Sequence, residues 1–213
     1  MRKSSLIIAI VILLGASIPV MAQDEERDLL EVCVYGGYGF PSGGASDFGD
    51  SLGAKAGLLL GGDLGYFLRY NMVIGFNFTY TQFGIDATGE VGDRSHRLYN
   101  PNLYLKYYFM GESDLEPYLK AHVGIENAKF TTLLSDPAKY RATSYDPSLA
   151  FGFGGGLFYY TADYSGIFIE ANYHYANTDG AKKEYLDQTL EFEDNIAVFD
   201  IHAGIRFLIG SGE

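Results

Sequence analysis

The sequence predicts an all-β fold, an eight-stranded antiparallel transmembrane up-and-down β-barrel. Three observations carry this: repeated period-2 alternation, connections that alternate between short and long, and a glycine-rich polar face opposite a bulky apolar one. Composition agrees, since 27 Gly, 18 Tyr and 15 Phe accompany 6 Pro and no Trp, which favours strands over helices.

The chain opens with Arg2 and Lys3, then an apolar run from Leu6 to Leu14, then Gly15, Pro19 and Val20-Met21-Ala22. This is the pattern of a secretory signal peptide over residues 1–22. The run falls short of the roughly 20 residues that a membrane-spanning helix requires, and no later stretch reaches that length. Cleavage after Ala22 leaves residues 23–213 as one barrel domain, which begins with a charged lead-in, Gln23 to Asp28. Losing Arg2 and Lys3 from 15 basic residues leaves 13 against 27 acidic ones, a formal charge of −14. Nucleic acid needs a basic surface and is excluded as a partner. Cys33 is the only cysteine, so no intramolecular disulfide can form, and a buried inert thiol is expected.

The first strand, Leu30 to Phe40, sets Leu30, Val32, Val34, Gly36, Tyr38 and Phe40 against Glu31, Cys33, Tyr35, Gly37 and Gly39. The second sets Leu58, Leu60, Leu64, Tyr66 and Leu68 against Gly57, Gly61, Asp63 and Gly65. In the third, Met72, Ile74, Phe76, Phe78 and Tyr80 oppose Gly75, Asn77, Thr79 and Thr81. The fourth opposes Leu103, Leu105, Tyr107 and Phe109 to Asn102, Tyr104, Lys106 and Tyr108. The fifth opposes Leu119, Ala121, Val123 and Ile125 to Lys120, His122, Gly124 and Glu126. In the sixth, Phe151, Phe153, Leu157 and Tyr159 face away from Gly152, Gly154 and Gly156. The seventh alternates Ile167, Ile169, Ala171, Tyr173 and Tyr175 with Glu170, Asn172 and His174. The eighth alternates Phe199, Ile201, Ala203, Ile205 and Phe207 with Asp200, His202, Gly204 and Arg206.

Short connections fall at 69–71, 111–116 and 161–165, long ones at 41–53, 84–95, 129–148 and 178–195. Short turns on one rim and long loops on the other are characteristic of outer-membrane barrels, and an even strand number puts both chain ends on the short-turn, periplasmic side. Volume then decides which face is inside. An eight-stranded barrel has room for little more than side chains, and the Phe, Tyr and Leu of the apolar face are too bulky for it. The glycine-rich face suits a narrow lumen, where Glu31, Asp63, Glu126, Glu170 and Asp200 are expected to pair with Lys106, Lys120 and Arg206 as a salt-bridged plug that conducts little. Tyr66, Tyr70, Tyr107, Tyr108, Tyr118, Tyr159, Tyr160 and Tyr164 are expected to form an interfacial girdle at the short-turn rim. The alternative is a soluble lipocalin-like binding barrel with the apolar face inward.

The first strand, Val34-Tyr35-Gly36-Gly37-Tyr38-Gly39-Phe40, and the glycine-rich sixth resemble those of the OmpA/OmpX-like family of small outer-membrane β-barrels. In the last strand, Phe199, Ile201, Ala203, Ile205 and Phe207 are similar to the C-terminal signal read by the outer-membrane assembly machinery, although Leu208 to Glu213 follow it. The resemblance implies a monomeric outer-membrane protein with a structural or surface-interaction role. Fold does not itself give function.

Candidate chemistry is sparse. Tyr173-His174-Tyr175-Ala176-Asn177 is similar to the His-x-Ser-Asn segment of outer-membrane lipid A deacylases, the runner-up function. Such an esterase needs a hydroxyl beside its histidine base, and Ala176 stands at the nucleophile position, with Thr178 the nearest substitute. His122 and His202, with Glu126 or Asp200, form a conceivable metal set, but such residues are common in any polar lumen. Pro41-Ser42-Gly43-Gly44 lacks the lysine and the following helix of a phosphate loop, and turn glycines account for it. No catalytic residue, cofactor or metal is therefore expected, and no enzymatic activity. Asp179, Glu184, Asp187, Glu191, Glu193 and Asp194 with Lys182 and Lys183 make the last long loop strongly charged. Outer-membrane lipids and lipopolysaccharide are the expected partners, with Lys129, Lys139, Arg141, Lys182 and Lys183 meeting phosphates directly and carboxylates doing so through divalent cations.

Overall fold

A computed structural model describes residues 29–43, 54–85, 96–109, 113–133, 140–144, 146–177, 182–185, 188–191 and 195–210. The expected signal segment 1–22, the lead-in 23–28, Gly44, Lys139 and Thr178 lie outside these residues.

Eight long strands build the wall: β1 (Leu29–Gly43), β2 (Ala54–Arg69), β3 (Met72–Ile85), β4 (His96–Tyr108), β5 (Leu115–Leu133), β7 (Ser148–Ala162), β8 (Ser165–Ala176) and β11 (Ile196–Gly210). Three short strands lie on the long-connection side: β6 (Tyr140–Ser144), β9 (Lys182–Tyr185) and β10 (Gln188–Glu191). Each wall strand pairs antiparallel with its neighbours in the chain, and β1 pairs with both β2 and β11, so the sheet closes on itself. Closure leaves the wall no free edge, which a sheet surrounded by lipid requires. Two-residue turns at Tyr70-Asn71 and Asp163-Tyr164 join β2 to β3 and β7 to β8. They fix the register by holding each pair of strands in one hairpin.

Strand ends differ from expectation on the long-connection side. Pro41 and Ser42 continue β1 and pair with Val198 and Ala197, so they are not part of a loop. Lys129 is within β5, opposite Arg97 on one side and Ser144 of β6 on the other. Lys182 and Lys183 belong to the β9–β10 hairpin. The backbone extends these ladders because pairing satisfies its amides wherever the chain turns back on itself.

The apolar face points outward. Phe153 is 65% exposed, Leu103 61%, and the other large apolar residues of this face form a continuous belt around the wall. On β3 the belt runs from Met72 to Tyr80, which at roughly 3.3 Å per residue and a tilt of about 40° spans about 20 Å of hydrocarbon. A surface of this extent is not stable against water and fits lipid.

The lumen is stacked in layers. At the short-turn end, Phe67, Val73, Phe158 and Phe168 pack with Tyr104, Tyr108 and Tyr118. At the other end, Phe83, Leu98, Ile196 and Val198 pack with Ala150 and Ala176. Between them lies a polar layer. The inward face therefore carries more apolar bulk than glycine and charge alone suggested; Leu59, only 2% exposed, is a further instance. Glycine makes the room. At Gly37 an added Cβ would collide with the backbone of Ile201 and His202, so only glycine lets β1 and β11 approach as they do.

Candidate functional site: the lumenal charge network

Inward-facing positions on six strands converge in the polar middle of the barrel. Lys106 on β4 lies 2.6 Å from Glu31 on β1 and 3.5 Å from Asp63 on β2. Lys120 on β5 bridges Asp63 at 2.9 Å and Glu170 on β8 at 3.1 Å. Arg206 on β11 approaches Glu31 at 3.5 Å and Glu116 at 3.8 Å, with its guanidinium stacked 3.3 Å from the centroid of Phe158. Of the carboxylates expected to pair with Lys106, Lys120 and Arg206, Glu31, Asp63 and Glu170 do so, whereas Glu126 and Asp200 meet histidines instead. Neither sign can be removed from water alone without a large desolvation penalty, so the two are placed together.

Neutral donors complete the carboxylate shells. The Tyr108 hydroxyl donates to Glu31, as does that of Tyr104 at 3.2 Å, and the Tyr118 hydroxyl donates to Glu170 at 2.7 Å. Asn77 Nδ2 donates to Asp63 at 2.6 Å, and Asn172 Nδ2 donates to Glu170 at 2.8 Å. This corrects the expected girdle: Tyr66, Tyr70, Tyr159 and Tyr164 are exposed on the outer rim, whereas Tyr108 and Tyr118 are buried in the lumen. The signal was in the sequence. Tyr104, Lys106 and Tyr108 share one parity on β4, and a strand cannot turn one of them outward without turning all three.

Nearer the long-connection end, three of the four histidines form two separate sets. His174 Nε2 lies 2.8 Å from Glu126 Oε2, to which Asn100 Nδ2 also donates at 2.8 Å. With that nitrogen donating to the carboxylate, His174 Nδ1 is left to accept from His122 Nε2 at 3.2 Å. His202 Nδ1 donates to Asp200 at 2.8 Å, while its other nitrogen faces Glu170 at 3.4 Å. The conceived metal set is thus divided: His202 joins Asp200, but His122 joins His174, and Glu126 belongs to His174. His122, His174, Asp200 and His202 border, with Leu59, Leu98 and Val198, a cavity of about 30 Å³, room for one or two waters.

A third cluster, Glu31, Cys33 and Asp63, places its possible ligand atoms within 4.8 Å of one another. Both carboxylates are already held by Lys106 and Lys120, so a cation there would meet two ammonium groups. Cys33 itself is buried. The esterase-like segment also faces inward: His174 is held by Glu126, and Ala176 is fully buried in the apolar layer. An acyl ester dissolved in the surrounding lipid lies on the other side of the wall from both.

These features sit on a fold shared with known proteins. Neisserial surface protein A superposes with a TM-score of 0.57 at 17% identity, covering 84% of this chain and 96% of that one. The outer membrane protein AlkL, determined by solid-state NMR in DMPC bilayers, gives 0.53 at 16% identity, covering 92% and 97%. OprG, an outer membrane protein from Pseudomonas aeruginosa, gives 0.51 at 14% identity, covering 87% and 98%. At these identities the likeness is one of fold. No curated protein matches the sequence. The family model of the outer membrane protein beta-barrel domain matches residues 8–207, and with the closed eight-stranded wall and its apolar exterior this makes the chain a member of that bacterial outer-membrane family.

Proposed function

We infer that the protein is a monomeric structural barrel of the outer membrane with a closed lumen, and that its surface interactions reside on the long-connection side rather than in any catalytic centre. One observation carries this reading: the polar middle of the barrel is filled by paired charges and capped at each end by an apolar layer. A filled eight-stranded lumen offers no aqueous path. Residues 1–22 are removed on export, and β11 presents Phe199 to Phe207 to the assembly machinery. The periplasmic rim has little to offer a partner, because its connections are short. Interaction therefore falls to the opposite side, where β6, β9 and β10 extend beyond the wall.

The test combines location and conductance. The mature protein should fractionate with outer membranes and migrate heat-modifiably in detergent gels, and planar bilayer recordings should show no stable porin-like channel. Recovery as a soluble periplasmic protein would refute the location, and a large stable conductance would refute the closed lumen.

A further inference from the structure

Both ring nitrogens of His202 on β11 face a carboxylate. Nδ1 lies 2.8 Å from Asp200 Oδ1, and Nε2 lies 3.4 Å from Glu170 Oε1 on β8. A neutral imidazole carries a single N–H, so in that form one nitrogen would turn its lone pair towards an anionic oxygen, whereas an imidazolium has a donor for each. The ring also lies over Tyr35 of β1, with centroids 4.2 Å apart and planes 21° from parallel, and the face of an aromatic ring attracts a cation. His174 differs. Its Nε2 meets Glu126 while its Nδ1 meets another imidazole, an arrangement that two neutral rings satisfy.

The charge of the lumen calls for a further cation. Among the described residues it buries six carboxylates, Glu31, Asp63, Glu116, Glu126, Glu170 and Asp200, against three permanent cations, Lys106, Lys120 and Arg206. Glu170 has Lys120 at 3.1 Å and accepts from Tyr118 and Asn172 as well. Asp200 lacks such support: among the described residues no lysine or arginine forms an ion pair with it, and its other donor is Asn172 at 3.3 Å. A buried carboxylate without a cation is costly, and charged His202 is the cation within reach.

We propose that His202 holds an extra proton in the folded barrel and that the Glu170–His202–Asp200 bridge is a pH-sensitive clamp on the seam that closes the wall. It ties β8 to β11, and the Tyr35 ring ties β11 to β1, the pair that completes the barrel. The groups that can titrate around it are Tyr35 from β1, Glu170 and His174 from β8, and Lys120 and His122 from β5, with Asp63 from β2 held by Lys120. On β3 and β4 the neighbouring lumenal positions are asparagines and threonines, and on β7 they are Gly152 and Gly154, none of which titrates. Loss of the proton leaves Asp200 buried with no cation, beside a cavity of about 30 Å³ that gives the freed ring room to move. Alkaline conditions therefore loosen the seam that neutral conditions hold.

Two measurements on the mature chain in micelles test the clamp. Ring-nitrogen NMR reports whether both nitrogens of a histidine carry hydrogen. At about pH 7.5, where an unperturbed histidine is mostly neutral, the His202 signal, assigned by its absence in H202Q, should be that of an imidazolium; a neutral His202 would overturn the proposal. Where the folded barrel keeps a proton that the unfolded chain has released, each unit rise in pH weakens folding by up to about tenfold. In urea unfolding from about pH 7 to about pH 9, the folding equilibrium of wild type should accordingly fall about tenfold more than that of H202Q, and equal falls would overturn the clamp. Should H202Q not fold, D200N takes its place. Removing that carboxylate should lower by about one unit the pH at which one imidazolium signal is lost, and a set of histidine titrations unchanged from wild type would overturn the proposal.

Discussion

Replacing Lys120 by methionine isolates the centre of the lumenal network. Its ammonium lies 2.9 Å from Asp63 and 3.1 Å from Glu170, and it is buried. Two charge-assisted hydrogen bonds at roughly 1.5–3 kcal/mol each set the gross loss at about 3–6 kcal/mol. The carboxylates left behind are not bare. Asp63 keeps Asn77 at 2.6 Å and Lys106 at 3.5 Å, and Glu170 keeps Tyr118 at 2.7 Å, Asn172 at 2.8 Å and His202 at 3.4 Å. The expected destabilisation therefore lies at the low end of the range for breaking a buried pair, about 3 kcal/mol. Urea unfolding in micelles, followed by tryptophan-free circular dichroism and heat-modifiable mobility, measures it. Neutralising one freed carboxylate in K120M/E170Q should recover part of the loss, because the lost partner no longer leaves a buried charge exposed to its like. A change below about 1 kcal/mol in K120M would show that water screens this pair as it screens a surface salt bridge, and the sealed lumen would then be wrong.

Three further outcomes follow from the same packing. G37A should lose at least about 1–3 kcal/mol or fail to fold, since its new methyl meets backbone that cannot move aside, whereas G84A, with the nearest atom 4.0 Å away, should be indistinguishable from wild type on a heat-modifiability gel. L103R, in the middle of the lipid belt, should cost about 2–4 kcal/mol in reversible folding, while Q82R at the interface should cost under about 1 kcal/mol; equal effects would misplace the membrane. Cys33 should resist maleimide labelling in the folded barrel and react once it is unfolded in urea, because its sulfur faces the packed lumen; rapid labelling of the native form would show an open channel.

Much of this architecture was written in the sequence as parity. Once Leu103 and Leu105 are on one face, Asn102, Tyr104 and Lys106 are on the other, and bulk against glycine decides which face is the lumen. Local alternation is enough, because each strand makes that choice independently of the rest. The partnerships inside the barrel were not legible in the same way. Glu31 meets Lys106 and Arg206, and Glu126 meets His174 rather than His122, across distances in the chain that only closure of the wall and the stagger of its strands bring together. The apolar caps were hidden for a related reason. Near the strand ends both faces carry bulky residues, as at Phe67 and Leu68 or Leu98 and Tyr99, so alternation loses contrast there, and it is burial against the opposite wall that sends Phe67 and Leu98 inward. The pairing of Lys129 with Arg97 completes the contrast: the sequence placed Lys129 in a loop and did not single out Arg97, and only the register of β4 on β5, set by the full ladder of backbone hydrogen bonds, makes them neighbours.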